Sequence, residues 1–109
     1  MAKNILKQYC QEMPYWELMF DVRDKEMKER WGNFFLRNRL VWVSGKLFTK
    51  EDNNFKTANY MFVNQQFLLT YGISTPDFET LKGYCKIDSP QQLLRKIKEH
   101  LLKKTMENP

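Results

Sequence analysis

Downstream of Pro14, large apolar residues recur with helical spacing. Trp16, Phe20, Met27, Trp31 and Phe34 follow one another at intervals of 4, 7, 4 and 3, one stripe of an amphipathic helix. Asp21, Lys25, Glu29 and Arg30 occupy the other side, with Asp21 four residues ahead of Lys25. The pattern predicts a helix over about 15–36, preceded by a short one over 3–13 that carries Ile5, Leu6 and Tyr9. Residues 39–48 change character. Their β-branched and aromatic side chains alternate, with Val41, Val43 and Leu47 on one side and Trp42, Ser44, Lys46 and Phe48 on the other, which predicts a strand. Thr49–Asn54 is polar and reads as a turn or a capped helix start.

Residues 57–71 fit two periods. Ala58, Met61, Phe62, Gln65, Leu68 and Leu69 share a helical face, whereas Met61, Val63, Phe67 and Leu69 fit a strand. The ending Leu68-Leu69-Thr70-Tyr71-Gly72-Ile73 favours a helix that closes on a left-handed glycine. Ser74-Thr75-Pro76-Asp77 then opens a short helix over 76–84, and Asp88-Ser89-Pro90 opens a final one over 90–105. Leu93, Leu94, Ile97, Leu101 and Leu102 would line the buried side of that last helix. The sum is one domain over residues 1–109, an α+β fold that is mostly helical: four or five helices on a short β element near 39–48, in a winged-helix-like arrangement. Residues 66–81 resemble the generic helix-turn-helix pattern of DNA-binding proteins, with Gly72 at the turn and Ile73, Phe78 and Leu81 filling the angle between two helices. The same residues also suit two core helices joined by a tight turn.

Composition narrows the class. With 42% hydrophobic and 15% aromatic residues in 109, the chain has ample material for one core and is not disordered. No apolar run reaches the roughly 18 residues of a membrane span. The N-terminus turns polar too soon for a secretory signal, and two cysteines, Cys10 and Cys85, are too few for a disulfide scaffold. The expectation is a cytoplasmic protein with reduced thiols.

Charge adds a functional expectation. The net charge is +5, and the excess lies in two zones. Arg37, Arg39, Lys46, Lys50 and Lys56 outnumber Glu51 and Asp52, while Arg95, Lys96, Lys98, Lys103 and Lys104 outnumber Glu99 and Glu107. Catalytic signals are missing. The single histidine, His100, has no nucleophile at a local spacing, the cysteines lack chelate spacing, and Gly32, Gly45, Gly72 and Gly83 form no phosphate loop. No enzyme, metal or cofactor is expected. The favoured expectation is nucleic-acid binding, to DNA or RNA and with single strands among the forms considered. Arg37, Arg39, Lys46, Lys50, Lys56, Arg95, Lys96 and Lys103 would meet phosphates, and Trp42 would stack on a base. The alternative is that Trp42 and Phe48 are core residues and the chain is a small protein-interaction or inhibitor module, docking through aromatic surface.

Overall fold

The computed structural model describes residues 4–74 and 82–107. In chain order these form α1 (Ile5–Glu12), β1 (Glu17–Asp21), α2 (Lys25–Arg37), β2 (Val41–Trp42), α3 (Asn53–Thr57), β3 (Tyr60–Asn64), β4 (Leu68–Gly72), β5 (Tyr84–Ile87) and α4 (Pro90–Glu107). The five strands make one mixed sheet in the order β2-β4-β3-β1-β5. β3 is antiparallel to both β1 and β4, whereas β5 runs parallel to β1 and β2 parallel to β4. The domain is therefore α+β with a full sheet. It is neither mostly helical nor winged-helix-like.

Helices cover one face of the sheet. Leu18, Phe20, Met61, Val63, Leu69, Cys85 and Ile87 point to that side and merge with Leu6, Tyr9 and Cys10 of α1, Trp31, Phe34 and Phe35 of α2, Phe55 of α3, and Leu93 and Ile97 of α4. Phe35 sits at the centre, with ring centroids 5.4 Å from Phe20, 5.5 Å from Phe48 and 6.4 Å from Phe55. Met19, Tyr60 and Phe62 form a smaller cluster on the opposite face.

The expected helix over 15–36 is two elements. Leu18, Met19 and Phe20 are all buried because both sheet faces are covered, so β1 shows no alternation and passes for a helical stripe. The chain breaks at Asp24, whose carboxylate accepts the Met27 N–H at 2.9 Å and caps α2. Asp21 turns to Arg23 (2.7 Å) instead of Lys25. The expected helix over 57–71 is the β3–β4 hairpin for the same reason, since Tyr60 to Val63 are buried in succession. Its turn is held by Asn64, whose side-chain oxygen accepts the N–H groups of Gln66 (3.0 Å) and Leu68 (2.9 Å), with Phe67 in the left-handed region at φ 66°. Gly72 lies in the ladder opposite Tyr60, and makes no left-handed turn. The first half of the helix-turn-helix pattern is thus a strand, and no such motif forms. Its second half, and most of the helix expected over 76–84, lie outside the described residues; Tyr84 begins β5.

The two terminal helices agree with expectation. Asn4 caps α1 by accepting the Lys7 N–H at 3.0 Å, and Ser89 accepts the Gln92 N–H at 3.1 Å at the start of α4. Leu93 and Ile97 are buried as expected, while Leu94 and Leu102 face solvent. Glu12 ties the two helices together, bonding His100 (2.8 Å) and Lys104 (2.6 Å). The Lys104 hydrogen bond, then that of His100, holds its carboxyl down at about 2. Among the described residues no helix is long and apolar enough to cross a membrane.

Two substitutions test this core. Phe35→Ala is expected to cost about 3–5 kcal/mol and Ile97→Ala about 2–5 kcal/mol in urea unfolding, because each removes a side chain buried in the core. An Ile97→Ala protein with the parent's unfolding midpoint would show that α4 is not docked.

Candidate functional site

The segment expected as a ten-residue strand, 39–48, keeps only Val41 and Trp42 in the sheet. After Trp42 the chain reverses. Gly45 takes φ 95°, its N–H donates to the Trp42 carbonyl at 2.8 Å, and the Trp42 N–H donates to the Lys46 carbonyl at 2.8 Å. The returning limb bridges Val41 to Leu47, and the Phe48 N–H reaches the Leu40 carbonyl at 3.0 Å. Residues 40–48 are a tight hairpin on the margin of the sheet. Glycine suits its turn because a side chain at that φ would be strained.

Asp52 anchors the hairpin. Its carboxylate accepts from Trp42 Nε1 (2.7 Å), Lys46 Nζ (3.2 Å), Thr49 Oγ1 (2.8 Å) and the Thr49 N–H (3.0 Å). Burial pushes its pKa up, but the hydrogen bonds from Thr49, Trp42 and Lys46 outweigh this and hold the carboxyl well below the usual range. Trp42 is 6% exposed, with Phe48 at 5.8 Å and the edge of Tyr71 at 6.3 Å between ring centroids. The ring is packed into the core and has no face free to stack on a base. Trp42 and Lys46, expected on one side of a strand, do meet, but at a carboxylate within the protein.

Of the other basic residues singled out by charge, Lys50 and Arg37 also have local roles. Lys50 pairs with Glu29 and donates to Asn33 at 3.0 Å. Arg37 lies in the last turn of α2, where a cation offsets the helix dipole. Arg39 follows at φ 52° and is exposed. Lys56 is exposed on α3, and its carbonyl accepts from Lys28 Nζ at 2.8 Å. Arg95 and Lys103 are exposed on α4, and Lys96 is half-buried there. Among the described residues, no hydrogen bond or ion pair joins the 37–56 zone to α4.

Chemistry elsewhere is muted. Cys10 and Cys85 are buried, free thiols; burial pushes Cys10 up to about 12 and Cys85 upward, so both stay protonated near neutral pH. Among the described residues, no group of three or more His, Cys, Asp or Glu side chains is placed to hold a metal ion.

Apolar surface instead gathers around the hairpin. Val43 is 54% exposed, Leu47 56% and Tyr71 41%. Beside them lies an open groove of about 620 Å³, between the hairpin, the start of α3 and the end of β4, lined by Trp42, Val43, Lys46, Glu51, Asn54 and Tyr71 among others. Sequence reasoning missed Asp52, Glu51 and Tyr71 as parts of a site. Only the Thr49–Asp52 spacing hinted at the anchor, and assigning 57–71 to a helix concealed β4, the strand that carries Tyr71. Comparison with known proteins gives no match to a family model, a curated protein or a solved structure.

The anchor has a pH signature. Asp52 has a depressed pKa in the folded state, so its contribution to stability is complete above the ordinary carboxylate pKa, near 4, and is lost as pH falls below it. Asp52→Asn is expected to flatten the fall in melting temperature between about pH 5 and pH 2. At neutral pH Asp52→Ala should cost about 1–3 kcal/mol, because Trp42 Nε1 and the Thr49 N–H lose their acceptor. Equal acid sensitivity in parent and Asp52→Asn would remove Asp52 from this role.

Proposed function

We propose that this chain is a non-catalytic protein-interaction module whose docking face is the hairpin margin of the sheet. The observation that carries the reading is the juxtaposition of exposed Val43 and Tyr71 on the wall of an open groove, with exposed Leu47 on the returning limb of the same hairpin. Isolated exposed apolar residues are ordinary, but a cluster rimmed by polar groups is the usual anatomy of a contact surface. The hairpin is also held firmly by Asp52 and by the Phe48 and Trp42 rings, so a partner would meet a preformed surface with little ordering cost. The reduced, buried thiols fit a cytoplasmic setting.

A second reading, nucleic-acid binding, is favoured by one observation. Arg95, Lys98 and Lys103 are exposed on α4 and form no ion pair among the described residues. On this reading α4 tracks phosphates without any base stacking, and binding falls steeply with added salt.

One experiment separates the two. The full chain is used as bait in extracts of the source cells, with and without nuclease, beside a Val43→Asp/Leu47→Asp variant and an Arg95→Ala/Lys98→Ala/Lys103→Ala variant. The expected outcome is a nuclease-resistant protein partner lost only with the Asp variant. Recovery of nucleic acid that is lost with the Ala variant would overturn the interaction reading.

A further inference from the structure

Main-chain geometry beside the groove says what sort of segment fits it. β4 pairs along its whole length with β3, from Val63–Leu69 to Tyr60–Gly72. On its other side β2 covers only Leu68 and Leu69. The last bond there runs from the Val43 N–H to the Leu69 carbonyl, 3.0 Å, before the hairpin turns away at Gly45. In an antiparallel ladder the polar groups of successive residues point alternately to the two sides. The Gly72 carbonyl accepts from the Asn59 N–H (3.0 Å), on the β3 side, and the Leu69 carbonyl faces the β2 side. Tyr71 has the parity of Leu69, so its N–H and carbonyl face away from β3, and neither makes a main-chain bond to the hairpin or to any other described residue outside the ladder. Tyr71 itself lines the groove.

The rim carries one cation, Lys46, and two acids, Asp52 and Glu51. The carboxylate of Asp52 is already engaged by Lys46. Glu51 also lines the groove, is exposed and has no ion pair among the described residues. A donor and an acceptor at strand spacing, an apolar wall of Val43 and Tyr71, and a free carboxylate specify complementary features in one ligand: an extended backbone, an apolar side chain and a cation.

We propose that the groove takes an extended peptide segment of a partner protein, which continues the β2 position along β4 by main-chain pairing at Tyr71 and places a Lys or Arg against Glu51. This rests on the protein-interaction reading above and names its mode. It also accounts for the shortness of β2. A longer β2 would cover Tyr71, and the turn at Gly45 leaves that stretch without a main-chain partner among the described residues.

The test uses a random 12-residue peptide library displayed on phage, selected against the full chain, with the enriched peptides then made synthetically and titrated. Enriched peptides should share an apolar residue and a Lys or Arg two or four positions apart, because side chains at even spacing fall on one side of a strand. Tyr71→Ala removes the ring and keeps the backbone, whereas Tyr71→Pro removes the outward N–H as well and leaves the β3 ladder intact. Tyr71→Pro is expected to bind at least 10-fold more weakly than Tyr71→Ala. Glu51→Lys should weaken binding similarly and be rescued by a peptide whose cation is exchanged for Glu. Should the Pro variant fail to fold, amide exchange in the parent protein takes its place, and peptide should slow exchange of the Tyr71 N–H at least 10-fold. Failure to enrich peptides that bind here, equal binding by the Pro and Ala variants, or unchanged exchange at Tyr71 overturns strand addition. If any of these occurs while Val43→Asp/Leu47→Asp still abolishes partner recovery, the docking face stands and only the mode is wrong. If partner recovery is also unaffected, both fall.

Discussion

The packing of Phe35 is the constraint on which the molecule turns. Its ring meets Phe20 from the sheet, Trp31 and Phe34 from its own helix, Phe48 from the hairpin and Phe55 from α3. One fully buried side chain therefore sets the distance between the helix layer and the sheet and the position of the two short elements at the margin. Phe48 relays this to Trp42, and Trp42 relays it to Asp52 through its indole N–H. The groove has firm walls because they end in this chain of rings. Trp31 packs in the same pile with its indole N–H unpartnered among the described residues, a polar cost that the surrounding aromatic contacts must offset.

Charge in this chain is a poor guide to its surface. The basic zone at 37–56 looks like a phosphate footprint when counted along the sequence. In space Lys46 and Lys50 are engaged by Asp52, Glu29 and Asn33, and Arg37 answers a helix dipole. The acids are drawn in equally: Glu12 joins α1 to α4, and Asp21 braces the turn between β1 and α2. Such exposed pairs contribute little energy each, but they remove cations from the pool available to a ligand. What remains outward is apolar surface at the hairpin beside Glu51, the cations Arg39 and Lys56, and the basic face of α4.

The legible parts of the fold are those whose signals are local. α1 and α4 carry caps at Asn4 and Ser89, and α4 begins with proline, so neighbouring residues alone define their starts. β1 and β3 were illegible because Leu18–Phe20 and Tyr60–Val63 are buried on both faces, which erases the alternation that marks a strand. The hairpin was half legible. Its β-branched and aromatic residues announce a strand, but Gly45 breaks it in two and folds one half back on the other.

Residue types and local spacing sufficed for the terminal helices, because their caps at Asn4 and Ser89 are decided within a few residues along the chain. Pairing order in the sheet, the burial of Trp42 and, among the described residues, the open edge at Tyr71 were decided by tertiary structure. Each depends on segments distant in sequence meeting in one register, as when Val43 closes on Leu69 and stops short of Tyr71. The number of cations and rings is a property of the chain, but which of them face outward is settled only when the sheet and the Phe35 layer close on each other.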